Sequence, residues 1–144
     1  MSSIKHLIFI DELLTDVSSL LTNLPEDSQW FKIDGLSNPF SQIEAITKDY
    51  NQLSSIQLIS HGSAGNISIG STSLTNENLF AYQASLSEIG SSLSTDGDFL
   101  VYGCNIAADE NGKKLITGIA EYTLADVAAS TDLTGPSLLG GDSE

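Results

Sequence analysis

Ser55-Ile56-Gln57-Leu58-Ile59-Ser60-His61-Gly62 is an apolar, strand-like run that stops on a histidine. A second run, Asp98-Phe99-Leu100-Val101-Tyr102-Gly103-Cys104, stops in the same way on the chain's only cysteine. If the two runs are neighbouring parallel strands, their carboxyl ends lie side by side, because strands joined by a crossover start and finish at the same edges of a sheet. An imidazole beside a thiol favours the thiolate, the reactive form of a group that otherwise titrates near ~8.5.

Outward from these two runs the chain alternates strand and helix. Lys5–Ile10 reads as a first strand, and Leu13, Leu14, Val17, Leu20, Leu21 and Leu24 recur with helical spacing before Pro25. Trp30–Ile33 is a short second strand, and Pro39 opens a helix through Phe40, Ile43, Ile46 and Tyr50. Ile56–Ser60 is the third strand. Residues 65–74 alternate polar and apolar side chains between Gly65 and Gly70, the pattern of a small exposed hairpin. A serine-rich helix is expected over about 78–93, a turn over 94–98, and a fourth strand at Phe99–Gly103. A helix over about 109–124 and a fifth strand at Asp126–Ser130 complete the pattern, ahead of a glycine-rich tail. Strands separated by helices predict an α/β three-layer sandwich with a mostly parallel central sheet. The expected organisation is one domain over 1–134 and a tail over 135–144, with no internal repeat or linker before residue 134.

Composition agrees with one core. The 144 residues are 40% hydrophobic, enough for a single sizeable core and too few for two ordinary ones. The formal net charge of −14 opposes nucleic acid phosphates and anionic membranes. All five basic residues are lysines (Lys5, Lys32, Lys48, Lys113, Lys114), so no arginine is present to grip a carboxylate. One cysteine excludes an internal disulfide and a cysteine-based zinc site. Asp96-Gly97-Asp98 and Asp109-Glu110-Asn111-Gly112 lack the spacing of a calcium loop. Leu7–Ile10 is shorter than a signal-peptide core, and nothing approaches a membrane span, so no membrane insertion is expected.

Sites in parallel α/β sheets gather at the carboxyl ends of the strands. Those ends carry Asp11, Asp34, His61, Cys104 and Ser130, with Asp132 just beyond. Gly62 lets its backbone N–H approach a substrate carbonyl, and with the Cys104 N–H it is a candidate oxyanion hole. Asp11 and Asp34 are candidates to line the cleft or to cap the segment that follows each. Ser60 and Ser63 flank the histidine, but neither sits in the Gly-x-Ser-x-Gly turn that exposes a serine nucleophile.

An apolar block ending in His-Gly, followed by a second ending in Cys, resembles the caspase-like cysteine peptidases. More closely, Leu58-Ile59-Ser60-His61-Gly62-Ser63, Tyr102-Gly103-Cys104-Asn105, Ala125-Asp126-Val127-Ala128-Ala129-Ser130 and Leu139-Gly140-Gly141-Asp142 resemble the bacterial module called domain of unknown function 4347. The resemblance spans almost the whole chain. It implies a caspase-like fold, with His61 as general base and Cys104 as nucleophile. Gly62 and Cys104 would supply the oxyanion-hole amides, and Asp132 and Ser130 would stand at the pocket for the residue before the cleaved bond. Asp132 is equally suited to open a turn with Thr134 and Gly135.

The implied partner is a peptide or protein substrate, including the chain itself in cis, and no metal or organic cofactor is implied. The module is typically the N-terminal part of very large surface or secreted proteins, so an extracellular or cell-surface location is expected. The chain shows no export signal of its own, which leaves a cytoplasmic location open. Two functions remain: a cysteine endopeptidase or self-processing domain, and a non-catalytic module for assembling, secreting or presenting a large adhesin-type protein.

Overall fold

The computed structural model describes residues 4–11, 26–34, 38–63, 65–69, 72–102 and 110–130. The helix expected over 13–24, the end of the fourth strand at Gly103 and the tail over 135–144 lie outside them. A five-stranded, wholly parallel sheet organises the molecule. Its strands are β1 (His6–Asp11), β2 (Ser28–Ile33), β3 (Leu53–Ile59), β7 (Leu93–Tyr102) and β8 (Asp126–Ser130), in the order β2-β1-β3-β7-β8.

The two central strands explain why this sheet is buried. In β1, Leu7 to Asp11 are all buried, and in β3 only Ser54 is exposed, the near-continuous apolar run that a two-sided strand requires. Helices α1 (Pro39–Thr47), α2 (Gln83–Gly90) and α3 (Glu110–Thr123) follow β2, β3 and β7. Each of these crossovers steps the same way across the sheet, so right-handed connections put all three helices on one face. There Phe40, Ile43, Leu86, Ile89, Leu115 and Ile119 share one core with Leu7, Phe9, Ile56, Leu58, Phe99 and Val101. The opposite face is equally dry: Ile8, Ile10 and Ile59 are 1% exposed and Tyr102 2%. Burial on both faces makes the sheet the middle layer of an α/β fold, consistent with a three-layer sandwich.

Local chemistry sets the helix ends. Asn38 caps α1, its side-chain oxygen accepting from Phe40 N at 2.8 Å and Ser41 N at 3.3 Å, with Pro39 in the first turn. At the other end the Ser92 hydroxyl donates to the Thr47 carbonyl at 2.7 Å. Helix α2 lies so close to α3 that a Cβ on Gly90 would collide with the backbone carbonyl of Thr123. Leu124 ends α3 in the left-handed region, φ 60°, its N–H donating to the Ala120 carbonyl at 2.8 Å.

Three expectations need correction. Residues 61–75 form a three-stranded antiparallel meander of β4 (His61–Ser63), β5 (Asn66–Ile69) and β6 (Thr72–Thr75). This is no exposed hairpin, because Ile67, Ile69 and Leu74 are fully buried in the main core. Asn78 closes the meander, accepting from Thr75 N and donating to the Ser73 carbonyl, both at 2.8 Å. The serine-rich helix expected over about 78–93 is present but shorter, a 3-10 turn at Leu79–Tyr82 running directly into α2 and ending at Gly90. Finally, 94–98 belongs to β7. The register jumps there from Leu53↔Leu93 to Ser55↔Asp98, and a side chain on Gly97 would lie 2.8 Å from the Leu53 carbonyl.

Candidate active site

Because all five strands run parallel, their carboxyl ends share one edge. Along it stand Asp34 after β2, Asp11 on β1, Ile59 and Ser60 on β3, Tyr102 on β7 and Ser130 on β8. The strand order reverses between β1 and β3, the position where ligands of open α/β sheets bind.

At the centre of this edge the parallel ladder of β3 and β7 closes on the pair Ile59↔Tyr102. One residue further, Ser60 turns both of its donors on the same carbonyl. Its N–H reaches the Tyr102 oxygen at 2.9 Å and its hydroxyl reaches that oxygen at 3.2 Å. Ser60 is 2% exposed, so both bonds are shielded from water. The chain then leaves the large sheet, and His61, Gly62 and Ser63 pair with Ser68, Ile67 and Asn66 in the small one. Ser60 is thus the step between two sheets, immediately before His61. Tyr102 precedes Cys104 by two residues in the sequence.

The remaining candidates separate. Cys104 and Asp132 lie outside the described residues, and of His61, Gly62 and Ser130 the structure gives the backbone course. Ser130 ends β8 opposite Tyr102. Asp11 ends β1 opposite Ile33 and is buried, 1% exposed. Asp34 does not cap α1. Its N–H donates to Gln42 Oε1 at 3.3 Å, while Gln42 Nε2 donates to the Asp34 carbonyl at 3.1 Å and to Oδ1 at 3.3 Å.

Sequence reasoning passed over Ser60 as an unsuitable nucleophile and did not register Gln42 or Asn38. Asn38 had a readable signal, a capping residue directly before a helix-opening proline. Gln42 had none, since its partner is fixed only by how α1 docks.

At the opposite, amino edge of the sheet a polar row crosses all five strands: Ser28, His6, Ser55, Asp98 and Asp126 occupy matching register positions. His6 Nδ1 and Ser55 Oγ are 2.7 Å apart, and Gln57 Nε2 donates to Ser55 Oγ at 3.1 Å. Burial raises the Asp98 carboxyl above the ordinary carboxylate range, and the charges of Asp126 and Asp96 add to that rise. Among the described residues no group of three or more His, Cys, Asp or Glu side chains is placed to hold a metal ion. An open groove of about 420 Å³ between the 3-10 helix and α3, lined in part by Phe80, Lys113, Lys114 and Tyr122, contains none of the residues expected from the sequence.

Residues 7–144 match one family, described as Domain of unknown function (DUF4347). The chain belongs to this family. No curated protein and no solved structure matches it. The match to domain of unknown function 4347 begins within β1 and runs past β8, so the whole parallel sheet apart from His6 falls within the family's span. No helix among the described residues of this family member is long and apolar enough to cross a membrane.

Proposed function

We propose that this member of domain of unknown function 4347 is a cysteine peptidase or self-processing domain that uses His61 and Cys104. The observation carrying this reading is the double hydrogen bond from Ser60 to the Tyr102 carbonyl, at 2.9 and 3.2 Å. It couples the residue before His61 to the residue two positions before Cys104, at the sheet edge where α/β sites form. The resemblance to caspase-like peptidases supplies the roles.

In the proposed reaction His61 takes the Cys104 thiol proton and the thiolate adds to the scissile carbonyl. The oxyanion is held by the Gly62 and Cys104 amides. Collapse of the tetrahedral adduct breaks the C–N bond, His61 protonates the leaving amine, and a thioester remains on Cys104. Water, deprotonated by His61, adds to the thioester, releasing the acid product and restoring the thiol. Asp132 and Ser130 are proposed to form the pocket for the residue before the cleaved bond. A carboxylate there, in a chain with no arginine and a net charge of −14, suits lysine or arginine in the substrate. The natural setting in this reading is a larger secreted or surface protein.

The alternative reading, an assembly or presentation module with an idle dyad, has in its favour the burial of the strand-end residue Asp11, which is 1% exposed. Iodoacetamide labelling between pH 6 and 8, followed by mass spectrometry, separates the two. The peptidase reading expects Cys104 to react faster than a cysteine peptide and His61→Ala to slow it. Labelling only after denaturation supports the idle module. A longer natural chain, compared with its Cys104→Ala variant on a gel, then reports processing beyond Gly140-Gly141.

A further inference from the structure

We infer that Ser60 is a positioning residue whose hydroxyl sets the spacing between His61 and Cys104. This rests on the proposed peptidase reading and adds a third side chain to it.

Ile59↔Tyr102 is the last pair of the β3–β7 ladder among the described residues. The chain after Ser60 joins a different sheet, whose pairing partners on β5 belong to a separate antiparallel ladder. The relative height of the ends of β3 and β7 is therefore set where the last described large-sheet bonds are made. Ser60 makes two such bonds to one oxygen and so uses both lone pairs of the Tyr102 carbonyl. Two donors from one residue resist rotation about a single hydrogen bond. Burial of Ser60, 2% exposed, keeps water from substituting for its hydroxyl. Asp11, at the carboxyl end of the neighbouring strand β1, is likewise buried, 1% exposed. The backbone bond alone survives in Ser60→Ala, which makes that variant a test of the hydroxyl and not of the fold.

The experiment is the pH profile of Cys104 carboxymethylation, from pH 5 to 9, in wild type, Ser60→Ala, Ser60→Thr, His61→Ala and the Ser60→Ala/His61→Ala double variant. Melting curves confirm that each variant is folded. Wild type is expected to react with an inflection below the ~8.5 of a free thiol, and His61→Ala to return it there. Ser60→Ala should move the inflection in the same direction and slow labelling at pH 6.5 about tenfold, a part of the roughly hundredfold that displacement by about 1 Å costs. Ser60→Thr should restore it, and Ser60→Ala should add nothing in the His61→Ala background, because the hydroxyl acts through the pair.

A Ser60→Ala profile that superimposes on wild type overturns this inference alone, provided His61→Ala still shifts. The same holds if Ser60→Ala slows labelling equally with and without His61. A wild-type profile identical to that of a free thiol and indifferent to His61 overturns the peptidase reading and the positioning role together.

Discussion

Asp98 on β7 and Asp126 on β8 stand opposite each other in the same parallel register, on a row that contains no lysine or arginine. Like charges directly across neighbouring strands are destabilising, by roughly 0.2–1 kcal/mol. Asp98 titrates above the usual carboxylate range, first through burial and then through Asp126 and Asp96. A carboxyl whose folded-state affinity for a proton is raised contributes stability that is complete below its unfolded pKa and lost as pH rises through the folded one.

Urea unfolding from pH 4 to 7 should therefore show Asp126→Asn more stable than wild type at pH 7, by a few tenths of a kcal/mol given solvent screening. The gap should close toward pH 4. A constant gap across the range would mean that the asparagine acts by something other than relieved repulsion.

Leu124 is 89% exposed in a left-handed conformation, φ 60°, at the end of α3. Almost no packing is lost on removing its side chain, and glycine carries no penalty in this region of φ. Leu124→Gly should raise stability by about 0.5–1 kcal/mol, visible as a higher melting temperature. A lower melting temperature would show that the leucine holds something through its exposed side chain.

Gly90→Ala tests the closeness of α2 and α3. Its new methyl has only the Thr123 backbone carbonyl to push against, so the two helices must move apart. A loss of about 1–3 kcal/mol is expected in chemical denaturation, with Asn38→Ala as a smaller comparison at roughly 1 kcal/mol for a lost helix cap. Equal losses for the two would place no special constraint at the helix crossing.

Gln57 is fully buried on the central strand, and among the described residues its Oε1 accepts no hydrogen bond while its Nε2 donates to Ser55. An orphaned buried acceptor costs about 1–3 kcal/mol, more than the net worth of the single amide bond it retains. Gln57→Met, of similar shape, should be neutral or stabilising by up to about 1 kcal/mol, whereas Gln57→Ala should lose stability through the cavity it leaves. A substantial loss in the methionine variant, followed by calorimetry, would reveal that the carboxamide has a partner in solution.

What could be read in the sequence was what periodicity and strand hydrophobicity carry. The runs expected at Lys5–Ile10, Trp30–Ile33, Ile56–Ser60, Phe99–Gly103 and Asp126–Ser130 each contain a strand, and their parallel order follows from the helices between them. Helix α3 agrees with expectation to within a residue at each end because Gly112, Leu115, Ile119 and Thr123 repeat on one face. The meander was misread for a physical reason: Ile67, Ile69 and Leu74 alternate as an exposed hairpin would, and only tertiary docking decides whether their face meets water. The Ser94–Asp98 stretch has a turn's composition, yet it is held in β7 by the space that Gly97 leaves beneath Leu53. At the candidate site the strand ends were legible and the couplings were not. Neither the Ser60–Tyr102 bonds nor the grip of Gln42 on Asp34 has a local signature, since each joins residues fixed by how separate elements pack.

The position of β1 bears on mechanical load. Tension entering the described fold at Ile4 and leaving at Ser130 enters at the amino edge of an interior strand and leaves at the carboxyl edge of the outermost one. The pull runs along the strands, so the rungs between β1 and β3, β3 and β7, and β7 and β8 are sheared together and not peeled one at a time. Such a sheet yields abruptly after sharing the force among many bonds. A sheet pulled at the same end of two paired strands would unzip under far less.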